Sequence, residues 1–221
     1  MTSAIVQSET PVTLIGGGAL GPSDLETALA LAPVLVAADG GADAALAAGR
    51  MPQAVIGDFD SLSARARAGI PADRLFPIRE QESTDFDKAL RSVAAPLVLA
   101  VGFLGDRVDH QLAAFNVLTR HAHRACILIG VHEVIFHAPR RLVLDMAAGQ
   151  VVSLFPMGRV TGRSEGLEWP IDGLVLTPDG QIGTSNRALG PVTLETDGPG
   201  LLAILPRDRL EALIVALRPG S

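Results

Sequence analysis

The chain has 221 residues, 48% of them hydrophobic and 19% charged, which is ample material for a buried core and excludes a disordered polymer. A formal net charge of −6 argues against a nucleic-acid binder, which normally shows a basic face. The lone Cys126, inside the apolar run Ala125-Cys126-Ile127-Leu128-Ile129, can build neither an internal disulfide nor a thiolate metal cage and reads as a small buried hydrophobe.

Val12-Thr13-Leu14-Ile15 reads as a buried strand leading into the turn Gly16-Gly17-Gly18. These glycines would let backbone amides approach a phosphate, but their spacing fits neither the P-loop nor the dinucleotide fingerprint, and a plain tight turn is the alternative. Ser23-Asp24-Leu25-Glu26 has the form of a capping box and predicts a helix through Leu31. Val34 to Ala38 is the next strand, Gly41 to Ala48 a short helix, and Ala54-Val55-Ile56 a third strand. Thr84 can cap a helix through Val93, Leu97 to Val101 forms another strand, and Val108 to Ala122 is the longest helical pattern, leading to a strand around Ile127. Such alternation, with near-continuous apolar strands, implies an α/β domain with a mostly parallel sheet covered on both faces.

Past about residue 138 the texture changes. Leu142-Val143-Leu144, Val151 to Phe155, Leu174-Val175-Leu176, Val192 to Thr196 and Leu201 to Leu205 are short, β-prone and separated by Gly, Pro, Asp and Asn. An antiparallel sandwich or partial barrel is expected. The domains are therefore 1–138, α/β, and 139–221, an all-β sandwich. Met1 to Thr10 lacks the basic start and apolar core of a signal peptide, and no apolar run approaches the ~20 residues that span a bilayer. A cytoplasmic protein with no membrane or nucleic-acid partner is expected.

Ligands of open parallel sheets bind beyond the carboxyl ends of the strands, and the aspartates collect there. The strand at Val34 ends in Asp39-Gly40-Gly41, that at Ala54 in Gly57-Asp58-Phe59-Asp60, and that at Leu97 leads to Gly105-Asp106-Arg107-Val108-Asp109-His110. Facing carboxylates repel unless a cation lies between them, and hard oxygen donors favour Mg²⁺. Such aspartates also cap turns, but three loops plus Asp85 on one edge favour a metal site. Arg107 shares a turn with these acids and is a phosphate candidate; His110 can donate to a phosphate or cap its own helix. The chain holds seventeen arginines and one lysine, Lys88. A lysine supplies a compact point charge where an arginine supplies a planar fork, and Lys88 shares a helix face with Thr84 and Asp85.

Taken in order, Ala38-Asp39-Gly40-Gly41, Gly57-Asp58-Phe59-Asp60-Ser61, Gln81-Glu82-Ser83-Thr84-Asp85-Phe86-Asp87-Lys88 and Gly105-Asp106-Arg107-Val108-Asp109-His110 resemble the thiamine pyrophosphokinase family, as do Gly166-Leu167-Glu168-Trp169-Pro170, Thr184-Ser185-Asn186 and Val192 to Thr196. The resemblance implies pyrophosphoryl transfer from ATP to thiamine, an α/β domain followed by a β-sandwich, and a homodimer with its active site between subunits. It implies that Asp58, Asp60 and Asp85 hold Mg²⁺, that Gln81, Thr84, Lys88 and Arg107 contact the nucleotide, and that Asp39 and Asp109 belong to the same acidic cluster. In that reading 1–138 is the nucleotide- and metal-binding catalytic domain and 139–221 the thiamine-binding one. Asp58, Asp60, Asp85, Lys88 and Asp109 would form the catalytic set, and Asp109 or Asp58 would orient or deprotonate the thiamine hydroxyl. Trp169 would stack on thiamine from the partner subunit, with Ser185 and Asn186 nearby. Asp106, where the family usually has glycine, and Arg187, where bacterial members often carry an acid, depart from the pattern. Two rival readings remain: a Mg²⁺-dependent phosphohydrolase built on Asp58-Phe59-Asp60, and a non-catalytic thiamine or nucleotide sensor.

Overall fold

The computed structural model describes residues 4–105 and 107–218. Asp106 lies outside the described residues. The chain divides into two compact units, Met1–Val117 with Cys126–Gly130, and Leu118–Ala125 with Val131–Ser221.

In chain order the first unit carries β1 (Val6–Gln7), β2 (Val12–Ile15), α1 (Asp24–Leu31), β3 (Val34–Ala38), α2 (Gly41–Ala47), β4 (Ala54–Gly57), α3 (Ala64–Gly69), β5 (Leu75–Pro77), α4 (Asp85–Arg91), β6 (Val93–Ala94), β7 (Val98–Val101), the start of α5 (Val108–Arg120), and β8 (Cys126–Ile129). Strands β8, β7, β2, β3, β4 and β5 lie side by side in that order, every neighbouring pair parallel. β1 and β6 form a separate parallel pair. Continuous burial accounts for the composition: Val12, Leu14, Ile15, Val36, Val55, Ile56, Leu99 and Leu128 are fully buried, each stabilising the fold by roughly 1.5–3 kcal/mol. Thr13 is tolerated among them because its hydroxyl donates to Ala32 O at 2.7 Å.

The capping box expected at Ser23 does not form. Ser23 makes no side-chain cap bond; Asp24 Oδ2 instead accepts from Gly21 N at 2.7 Å. Glu26, which would complete the box, is held by Arg50 at 2.7 and 3.1 Å. Thr84 does cap α4, accepting from Asp87 N at 3.3 Å.

The second unit contains β9 (Glu133–His137), β10 (Arg141–Leu144), β11 (Val151–Pro156), β12 (Gly162–Leu167), β13 (Gly183–Thr196), β14 (Leu201–Pro206) and α6 (Leu210–Ala216). Every pairing between these strands is antiparallel. The 14-residue β13 serves two sheets: its first part pairs with β11, which pairs on through β14 to β9, and its second part lies between β10 and β12. Residues 131–138, placed before the expected boundary, fall in this unit because β9 pairs with β14 from Glu133 to His137. The unit is not all-β. Leu210, Leu213 and Ile214 recur at helical spacing and are buried, so the last described element is an amphipathic helix.

Candidate active site

Because the strands of the first unit run parallel, their carboxyl ends form one edge, and the loops leaving β2, β3, β4 and β7 open there. Asp39 follows β3 in left-handed backbone, φ +42°, and is 2% exposed. Its Oδ2 accepts from Ser61 N at 3.2 Å; among the described residues its buried Oδ1 has no hydrogen-bond partner. Gly57 is what admits this carboxyl, since a Cβ there would lie 2.7 Å from Asp39 Cβ. After β4, Phe59 also takes a left-handed backbone, φ +67°, held in an Asx-type turn by Asp60 N donating to Asp58 Oδ1 at 3.3 Å. The turn brings Asp58 and Asp60 to the same side. One carboxylate oxygen from each of Asp39, Asp58 and Asp60 lies within 4.8 Å of the others. Two of the three non-glycine residues with positive φ among those described sit in this cluster, a strain pattern that marks functional sites.

Lys88 stands behind this trio. It is 1% exposed, and its Nζ lies 2.7 Å from Asp58 Oδ2 and 3.2 Å from Asp85 Oδ1. Gln81 Nε2 reaches the same Asp58 oxygen at 3.4 Å. The bond from Lys88 is the main reason the Asp58 carboxyl is held below its usual range. Burial would depress the Lys88 ammonium, but its two carboxylate partners outweigh that and hold it above its ordinary value. Burial pushes Asp85 up against the pull of Lys88. Asp39 is pushed up to about 7, chiefly by burial, with Asp85 and Asp60 adding repulsion. Asp85 is thus ion-paired beside the trio, and the buried Asp39 stands in the converging set.

The cluster opens on a cavity of about 690 Å³ within the first unit, lined by Gly17, Gly18, Asp39, Thr84, Asp85 and Arg107 among others. Gly17 and Gly18 thereby join the site. His110 lines it too. Sequence reasoning missed Asp43 and Ser63, which line the same cavity and bond to each other, Ser63 N donating to Asp43 Oδ2 at 3.0 Å; a lone Asp in a short helix carries no signal of this. It also missed Phe103, whose ring packs 4.4 Å from that of Phe86. Arg107 and Asp109 are both exposed, with a 2.5 Å ion pair between them, and the Arg107 bond holds the Asp109 carboxyl below its usual range. Asp109 is not among the converging carboxylates.

In the second unit Trp169 is 56% exposed and Asn186 only 4%. Ser185 takes φ +61°, and its N–H donates to Ser153 Oγ at 2.9 Å. Arg187 is exposed at the following position of β13. No helix among the described residues is long and apolar enough to cross a membrane.

Residues 25–129 match the family described as thiamin pyrophosphokinase, catalytic domain, and residues 134–201 match thiamin pyrophosphokinase, vitamin B1 binding domain. Thiamine pyrophosphokinase 1 of Oryza sativa subsp. japonica is 25% identical over 154 residues, covering 61% of this chain and 58% of the rice protein. Thiamine pyrophosphokinase 1 of Arabidopsis thaliana is 26% identical over 142 residues, covering 57% of this chain and 53% of the plant protein. The matches thus span little more than half the length of these relatives. Among solved structures, the thiamin pyrophosphokinase from Candida albicans superposes with a TM-score of 0.75 at 17% identity, over 92% of this chain and 93% of that one. That from Geobacillus thermodenitrificans gives 0.71 at 23% identity, over 89% and 96%. These structures establish the shared fold. With the two family segments matched in succession over most of its length, the chain belongs to the thiamin pyrophosphokinase family.

Proposed function

We propose that the chain transfers a pyrophosphoryl group from ATP to thiamine, giving thiamine diphosphate and AMP. The observation that carries this reading is the convergence of Asp58 and Asp60 on Asp39, which itself lines a nucleotide-sized cavity, in a chain that also carries the family's vitamin B1 binding segment. The donors are all oxygens, and one of them, Asp39 Oδ1, is buried without a partner among the described residues. A hard divalent cation fits that set. Asp39, Asp58 and Asp60 would hold Mg²⁺ with Asp85 alongside; when bound, Mg²⁺ would neutralise charge on the nucleotide phosphates.

The remaining work falls to positioning. The thiamine hydroxyl oxygen would bond to the β-phosphorus while the bond from that phosphorus to the α-phosphate oxygen breaks, AMP leaving with that oxygen and the hydroxyl proton passing to solvent or a site carboxylate. Lys88, buried between Asp58 and Asp85, fixes both acids and offsets their charge. Thr84 and Arg107 line the cavity as nucleotide contacts, and Gln81 steadies Asp58. Trp169, with Ser185 and Asn186 close by, belongs to the thiamine side; in this reading a partner subunit supplies it, the enzyme being a cytoplasmic homodimer. Alternating burial along β11 and β13 supports a sandwich for the second unit. Neither a phosphohydrolase nor a sensor accounts for both family segments.

Incubation with ATP, Mg²⁺ and thiamine, followed by chromatography, tests the proposal. AMP and thiamine diphosphate in equal amounts are expected; free phosphate would favour a hydrolase, and binding without turnover a sensor.

A further inference from the structure

Trp169 projects from the loop between β12 and β13, and an exposed indole on a loop would ordinarily sample many orientations. Here one buried side chain holds its backbone on both sides. Asn186 Oδ1 accepts from Trp169 N at 3.2 Å, and Asn186 Nδ2 donates to Trp169 O at 2.7 Å. The same Oδ1 accepts from Arg187 N at 2.8 Å. A carboxamide oxygen has two lone pairs, so both are occupied, and the two N–H donors fix which way the amide faces. Asn186 is 4% exposed. It is spent on the protein and has little left to offer a ligand.

The strand is built to deliver this side chain. Val152 pairs with Asn186 and Leu154 with Gly183, two steps along β11 against three along β13. That register shift is a β-bulge, a device that re-aims side chains next to active sites. Ser185 is the left-handed residue within it, φ +61°. The loop is secured further by Glu168 N donating to Arg187 O at 2.8 Å and Ile171 N donating to Ser164 Oγ at 3.0 Å. Upstream, Gly166 turns at φ +77°, where a Cβ would collide with Pro191 O.

We propose that Asn186 is a positioning residue that acts through Trp169: it locks the backbone beneath the indole so that the ring is presented as a rigid stacking platform, and it does not itself touch the substrate. The inference rests on the reading above that Trp169 meets thiamine. Ordering done at folding is not charged against binding, so a rigid platform raises affinity without adding a contact.

Trp169 is the chain's only tryptophan, so intrinsic fluorescence reports on it alone. In the free enzyme, Asn186→Ala should lower indole anisotropy and increase quenching by acrylamide. In steady-state kinetics it should raise KM for thiamine about tenfold, with a smaller loss in kcat. In a Trp169→Ala background the same change should alter KM less than about twofold, because the residue through which it acts is gone. Asn186→Asp keeps an acceptor for both N–H groups and should give an intermediate anisotropy, and it decides the matter if the alanine variant does not fold by circular dichroism. Unchanged anisotropy and quenching in a folded variant would overturn the clamp. Multiplicative effects of Asn186→Ala and Trp169→Ala on KM would show direct substrate contact and overturn the proposal as well. If Trp169→Ala leaves KM for thiamine unaltered while Asn186→Ala still frees the ring, the clamp stands and the thiamine role of Trp169 falls.

Discussion

Replacing Lys88 by methionine keeps side-chain volume and removes one charge from a closed arrangement. The Nζ lies 2.7 Å from Asp58 and 3.2 Å from Asp85, which at an effective dielectric of about 20 corresponds to gross attractions of ~6 and ~5 kcal/mol. Desolvation offsets most of this, and removing one partner of a buried pair costs about 3–5 kcal/mol. The lower end applies because the Asp85 side chain is 36% exposed and therefore screened. A loss of ~3 kcal/mol at pH 7 corresponds to a Tm about 6–12 °C lower for a chain of this size. The pH window follows from the shifts. Asp58 is depressed below its ordinary 3.8, so its contribution is present above that value and lost as pH falls through the depressed one. Lys88 is raised above 10.5, so its contribution is present below that value and lost as pH rises through the raised one. The deficit of Lys88→Met should therefore be widest between these limits and shrink at pH 3. Thermal melts by circular dichroism at pH 3 and pH 7, with metal chelated, measure it. A deficit under ~2 °C at pH 7, or the same deficit at both pH values, would refute the reasoning. The variant should also lose most turnover.

Asp39 is raised to about 7 from 3.8; for such an acid, stability is greatest below the unfolded value and is lost as pH rises toward and through the folded one. Without metal, Asp39→Asn should therefore melt above the wild type at pH 8 and lose that advantage below pH ~4, while Mg²⁺ should raise the Tm of the wild type and leave the variant unmoved. Gly57→Ala sets a Cβ 2.7 Å from Asp39 Cβ; a cost of about 1–3 kcal/mol is expected by denaturant unfolding, with loss of the Mg²⁺-induced Tm rise. Leu154 is fully buried where β11 meets β13 and β14, so Leu154→Ala should cost about 2–5 kcal/mol in the same assay.

Apolar runs made β2, β3, β4, β7 and β8 legible, because strands of a covered parallel sheet are buried throughout and carry that in composition. The aspartates following them were equally legible, since parallel strands place successive carboxyl ends on one edge. Tertiary geometry decided the rest. Asp39 enters the converging trio through a left-handed backbone and the absence of a Cβ at Gly57, and neither is written in a local pattern. Lys88 stood out by composition as a phosphate contact, but its burial between Asp58 and Asp85 depends on two elements packing together. Asn186 is expected near thiamine through the resemblance alone, and no local pattern signals that it is buried beside a register shift in β13. Helix α6 was overlooked because the β-prone texture before it masks the spacing of Leu210, Leu213 and Ile214.

In the proposed reaction both transferred phosphates reach thiamine and none reaches water. A ³¹P NMR time course of the enzyme with ATP, Mg²⁺ and thiamine reads this directly. The ATP resonances should decline as those of AMP and of a diphosphate ester of thiamine grow in equal proportion. Growth of an orthophosphate or free pyrophosphate signal in place of the diphosphate ester would contradict it.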